Sequence, residues 1–157
     1  MKANELFVIR RRIEIDAAHR VPDHRSKCFH VHGHRYVIEA ECEGHLYPEG
    51  EQKGMVLDFG FLKQMMIEEI HDPCDHGFII YSRDDVLQEQ LQIHPSEVPP
   101  PLLKVFWVDS VPTAENLARV WYNRLAPRVD KFTAGKAHLK CLRVWETPNS
   151  LAVYPVL

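Results

Sequence analysis

Two alternating stretches in the first third of the chain do most to restrict its fold. In residues 7–19, FVIRRRIEIDAAH, Phe7, Ile9, Ile13, Ile15 and Ala17 fall on one side, and Arg10, Arg12, Glu14 and Asp16 on the other. In residues 32–43, His32, His34, Tyr36, Ile38, Ala40 and Cys42 alternate with Arg35, Glu39, Glu41 and Glu43. Side chains on a strand point alternately to opposite faces, so each stretch reads as a half-buried strand with one face against a core. The apolar faces also carry imidazoles: His19 ends the first strand on the apolar side, and His32 and His34 open the second. Cys28, His30, His32 and His34 stand at alternating positions in KCFHVHGHRY.

The remaining segments supply helices for that core. Residues 43–54 are turn-rich and lead into a short strand, MVLD. Asp58 is the expected N-cap of a helix with Phe59, Leu62, Met66 and Ile70 on one stripe, broken at Pro73. The polar, proline-rich stretch 81–103 reads as a short helix followed by a loop, and 103–109, LKVFWVD, as a strand. Thr113 caps a second amphipathic helix with Leu117, Trp121 and Leu125 on its stripe, and Pro127 is expected to end it. HLKCLRVWE and SLAVYPV read as a hairpin across TPNS. The order implies an antiparallel α+β plan.

A length of 157 residues suits one domain, 1–157. The net charge is −3 and the sole basic run is RRR at 10–12, inside an alternation, which argues against nucleic acid as a partner. The sequence contains no apolar stretch of secretory or membrane-spanning length, so no membrane partner is expected and the reading is cytoplasmic. Cys28, Cys42, Cys74 and Cys141 form no C-x-x-C pair, which disfavours a cysteine-rich zinc knuckle. Cys42 and Cys141 sit in apolar alternations and read as small core residues.

His19, His32 and His34 on the inner faces of neighbouring strands form a three-imidazole group. Three protein ligands leave a fourth position open, as in catalytic zinc sites, although iron and nickel also accept imidazole. The competing reading is histidines packed in a core against backbone partners. Cys28 beside such a site could act as base, nucleophile or fourth ligand. The Asp75–His76 pair in CDHG is an acid–base arrangement if the two side chains meet. Glu146 continues the inward face of Leu142 and Val144, and a bound ligand with N–H groups would partner its carboxylate. The alternative is a strand-end glutamate in solvent. His30 reads as a loop residue, and His24, His45, His71, His94 and His138 as solvated or turn positions.

The motifs DAAHRVP, KCFHVHGHRY, GMVLDFGFLK, CDHG, PTAENLA and VWETPNSLAVY stand in the order seen in the 6-pyruvoyl-tetrahydropterin synthase and 6-carboxytetrahydropterin synthase family. The chain resembles that family over roughly 7–155, with 81–103 uncovered as a family-variable insertion. The resemblance implies the tunnelling fold: a four-stranded antiparallel sheet with two helices on one face, assembled into a β-barrel. The implied assembly is a homo-hexamer, a dimer of trimers, with inter-subunit active sites. It implies Zn2+ bound by His19, His32 and His34, Cys28 as the proton-abstracting thiolate, and Asp75 and His76 as a proton relay. Glu146 resembles the glutamate that holds the pterin ring, and Thr113 a residue lining the pterin pocket, and the resemblance implies that a neighbour of the Cys28 chain supplies both. The implied substrate is 7,8-dihydroneopterin triphosphate. Three residues between Cys28 and HGH resemble the 6-carboxytetrahydropterin synthases of queuosine biosynthesis. The 6-pyruvoyl branch is the alternative, and a catalytically silent metal- or pterin-binding member is the alternative of another class. Cys74 before Asp75 departs from the usual leucine.

Overall fold

The computed structural model describes residues 5–156; residues 1–4 and 157 of the expected domain lie outside it. Strand β1 (Phe7–His19) pairs antiparallel with β2 (His32–Gly44) along its whole length, from Phe7 opposite Gly44 to His19 opposite His32. β2 pairs with β5 (Ala137–Thr147), which turns into β6 (Ser150–Tyr154). This is the expected four-stranded antiparallel sheet. Beyond β1 the sheet continues with β3 (Gly77–Tyr81), which the sequence reading did not expect, and with β4 (Val105–Val108), where a strand was expected at 103–109. β3 runs parallel to β1, and β4 parallel to β3, giving a six-stranded mixed sheet in the order β4-β3-β1-β2-β5-β6.

β3 escapes a period-two reading for a physical reason. Phe78, Ile79 and Ile80 are all buried, because both faces of β3 are covered. Ile79 joins the main core, while Phe78 and Ile80 form a second small core with Leu87 and Ile93. Helix α3 (Asp85–Leu91) therefore gives the 81–103 segment a structural role, since it roofs the outer side of β3.

Helix α1 (Phe59–Met66) and helix α4 (Ala114–Thr133) share the main core with the inner faces of β1, β2 and β5. Asp58 and Thr113 cap them as expected, Asp58 accepting from the Gly60 and Phe61 amides and Thr113 from that of Asn116. Leu62, Met66 and Ile70 are buried, but Phe59 lies half exposed and Met65 fills the core in its place.

Three local expectations are corrected. MVLD forms no strand: Val56 and Leu57 are buried as an irregular lead-in to the Asp58 cap. Pro73 does not break the first helix. A π turn (Ile67–His71) leads into α2 (Asp72–Cys74), where the proline sits in the first turn and no amide is needed. Pro127 lies inside α4, which continues because Val129 and Thr133 beyond it are fully buried and outweigh one lost backbone bond. Among the described residues, no helix is long and apolar enough to cross a membrane.

On the sheet face away from the helices, cross-strand ion pairs replace apolar contacts. Glu41 accepts from Arg10 at 2.6 Å and from Arg143 at 2.8 Å.

Candidate metal centre and active site

The β1–β2 register sets His19 opposite His32 and Ala17 opposite His34, so the three imidazoles meet at one end of the pair. Gly33 between the two histidines allows this approach, since a Cβ there would stand 3.1 Å from the Ala17 carbonyl oxygen. One donor atom from each ring lies within 4.8 Å of the others, and His19 Nε2 is 3.1 Å from His32 Nε2.

Backbone carbonyls decide the tautomers. Pro112 O lies 2.6 Å from His19 Nδ1, and His30 O lies 2.7 Å from His32 Nδ1. A carbonyl can only accept, so both Nδ1 atoms donate and both Nε2 atoms present lone pairs to each other. Among the described residues, His34 Nε2 is buried with no hydrogen-bond partner. Converging lone pairs and an orphaned ring nitrogen are unfavourable unless a cation sits between them. Donors on a tetrahedral zinc at 2.0–2.1 Å stand about 3.3 Å apart, so the residues fit such an ion. The packed-core reading does not account for the His34 nitrogen.

Burial pushes the His19 pKa down to about 4, against the favourable bond to Pro112. Burial also lowers that of His34, with Glu146 acting in the opposite sense. Both rings are therefore neutral, the ligand form, at neutral pH. A prediction follows for the metal-free chain. Between the ordinary histidine value of 6.5 and about 4, the unfolded state binds a proton at His19 that the folded state refuses. Stability is then full above the upper value and falls with pH through the window, by up to about 3 kcal/mol. Urea unfolding of metal-free protein across that range measures it, and His19→Gln should flatten the dependence; an unchanged profile in that variant would contradict it.

His19, Cys28, Thr113 and Glu146 line one cavity of about 250 Å³. Cys28 is carried on a 3₁₀ turn (Lys27–Phe29) whose Cys28 carbonyl accepts from the Val21 amide at 2.8 Å. Its sulfur is not part of the three-imidazole cluster. Glu146 points inward, with Oε1 3.6 Å from His19 Nε2 and 3.9 Å from His34 Nε2. The β5–β6 pairing shifts register between Trp145 and Thr147, an irregularity that aims Glu146 at the site. Within one chain, Glu146 and Thr113 line the same cavity as Cys28 and His19. β2–β5 pairing and the start of α4 already bring them to Cys28.

Asp75 and His76 do meet each other. Asp75 Oδ2 accepts from His76 Nδ1 at 2.8 Å, and Oδ1 accepts from the Asp16 amide at 2.9 Å. Burial works against the Asp75 carboxylate, but the Asp16 amide and His76 outweigh it and hold the carboxyl below the usual range. His76 adopts a left-handed backbone (φ 54°), fixed by its amide donating to Asp16 O at 2.8 Å. Its side chain is 80% exposed and lines a shallow depression with Asp16, Gly33, His34 and Arg35, not the Cys28 cavity.

The 6-pyruvoyl tetrahydropterin synthase family matches this chain over residues 8–156. The chain belongs to that family. Among similar curated proteins are the 6-carboxy-5,6,7,8-tetrahydropterin synthases of Haemophilus influenzae, 35% identical over 95% of this chain and 99% of the relative, and of Rickettsia bellii, 33% identical over 88% and 93%. Of solved structures, an uncharacterized protein from Wolinella succinogenes aligns with a TM-score of 0.74 over 96% of this chain and 98% of its own, at 23% identity. The Caenorhabditis elegans 6-pyruvoyl tetrahydropterin synthase aligns with a TM-score of 0.66 over the whole of both chains, also at 23% identity. The fold is thus the tunnelling fold of the tetrahydropterin synthases, and the chain is a member of an enzyme family.

Beside Asp75, one contact escaped the sequence reading. His71, taken as a solvated position, has Nε2 3.6 Å from Asp75 Oδ2. The signal available was its spacing: His71 and Asp75 stand four apart across the end of a helix, where side chains become neighbours.

Proposed function

We propose that this chain is a zinc-dependent 6-carboxytetrahydropterin synthase. It would convert 7,8-dihydroneopterin triphosphate to 6-carboxytetrahydropterin, with release of acetaldehyde and triphosphate, in the cytoplasmic route to queuosine. The observation that carries this reading is the cavity in which His19 of the three-imidazole cluster lies beside Cys28 and Glu146, in a chain whose similar curated relatives bear that name. His19, His32 and His34 would hold the zinc, which would supply the Lewis-acid charge for polarising the substrate's side-chain oxygens. Glu146 would accept from the guanidine-like edge of the pterin, and Thr113 at the start of α4 would line the ring. Cys28 would remove a proton from the substrate side chain as its thiolate.

Asp75 and His76 would complete the relay from a neighbouring subunit of a hexamer. Support for this placement comes from the dyad itself: Asp75 holds His76, whose side chain is 80% exposed, and the dyad lies outside the Cys28 cavity of its own chain. Closure of subunits into a barrel would bring one chain's dyad to another's cavity. Two inactive variants then complement each other. Mixing Cys28→Ala with His76→Ala chains should restore about a quarter of wild-type activity after random subunit exchange, because half the sites carry Cys28 and half of their neighbours carry His76. Mixing Cys28→Ala with Glu146→Ala should restore nothing, since both residues serve the same cavity. No recovery in the first mixture, with subunit exchange demonstrated, sinks the shared site.

Product analysis by mass spectrometry tests the reaction. Acetaldehyde with 6-carboxytetrahydropterin supports the proposal. 6-Pyruvoyl-tetrahydropterin would assign the chain to the other branch, and no turnover would make it a silent member.

A further inference from the structure

Arg20 directly follows His19, and it is buried. Its guanidinium is used on every side. Nε donates to Asp84 Oδ2 at 2.6 Å and Nη2 to Asp84 Oδ1 at 2.9 Å, while Nη1 donates to the Phe29 carbonyl at 3.2 Å. The guanidinium carbon also stands 4.8 Å over the Phe29 ring. Asp84 is only 4% exposed and also caps α3, its Oδ1 accepting from the Leu87 amide. Leu87 in turn is part of the small core under β3. A continuous line of contacts therefore runs from β3 through α3 and Asp84 to Arg20, and from Arg20 to the residue after Cys28.

The Cys28 turn needs such support. It contains no buried residue, its N-cap Ser26 makes no side-chain cap bond, and the Phe29 ring is 41% exposed. Two links tie its carbonyls to the strand that carries His19: the Val21 amide on Cys28 O and the Arg20 guanidinium on Phe29 O. A buried ion pair is a weak source of stability, since desolvating both charges offsets most of their attraction. What it supplies here is direction, because a planar fork held in two places can aim its third donor at one carbonyl only.

We propose that the Arg20–Asp84 pair is the positioning element for Cys28, through which the 81–91 segment sets the thiol's place in the cavity relative to the imidazole cluster. Its kinetic arm rests on the reading of Cys28 as the base; its structural arm does not.

The test uses the double variant Arg20→Met/Asp84→Leu, which removes both charges together and so leaves no unpaired buried charge. Arg20→Lys is the second variant: it keeps a charge opposite Asp84 but lacks the fork. Three quantities are measured on folded protein, namely bound zinc, the iodoacetamide alkylation rate of Cys28, and kcat with KM. Cys42, Cys74 and Cys141 are buried, so Cys28 dominates alkylation of the native chain. The double variant should keep its zinc and its KM, alkylate about tenfold faster as the turn loosens, and lose about tenfold or more in kcat from misplacement of the thiol. Arg20→Lys should behave the same way. Wild-type alkylation and kcat in either folded variant would overturn the proposal, as would parallel loss of zinc and activity, which marks a merely structural pair. If the wild-type chain does not turn over the pterin triphosphate, the functional reading fails and the alkylation rates still decide the positioning role.

Discussion

Replacing His32 with alanine is expected to strip the metal centre while leaving the chain folded. His32 begins β2, where its side chain is half-buried, and its loss removes one of three converging donors without touching the hydrophobic core. Thirteen residue pairs join β1 to β2, and His32 belongs only to the last of them. The two donors left are too few to fill a zinc site, so bound metal should fall from one ion per chain to near none. Activity should fall by at least about 10³-fold, since polarisation of the substrate is worth several kcal/mol. Elemental analysis of purified protein alongside circular dichroism measures both. Full metal content in a folded His32→Ala chain would refute the three-imidazole centre.

Cys28→Ala should separate chemistry from binding. The Cys28 sulfur stands outside the imidazole cluster while lining the same cavity as His19 and Glu146. The variant should therefore retain its zinc and lose about 10²-fold or more in kcat, the scale of a positioned acid–base group. Loss of the metal together with activity would mean that the thiolate closes the coordination sphere as a fourth ligand.

The histidine centre was legible before the structure because parity decides it. On a half-buried strand, residues two apart share a face, and His32 and His34 continue the face of Tyr36 and Ile38. The caps at Asp58 and Thr113 were legible too, since the cap chemistry is local. The prolines misled because tertiary burial overrules local preference: Val129 and Thr133 hold the last turns of α4 in the core beyond Pro127. β3 was missed because a strand covered on both faces shows no alternation.

What the sequence alone determined is the set of groups that face inward on each strand, because side-chain direction depends only on counting along the backbone. That placed the three imidazoles on one inner face and gave the core stripe of α4, while leaving Glu146 open between an inward and a solvent-facing position. Which groups share a cavity was decided by tertiary structure alone. Glu146 lies more than a hundred residues from Cys28 and meets it through β2–β5 pairing and a bulge. Asp75 and His76 stand beside β1 because β3 joins the sheet in parallel, and that pairing leaves them outside the cavity their chemistry would serve. Long-range pairing carries no local signature, since its energy comes from surfaces that exist only once the chain has folded.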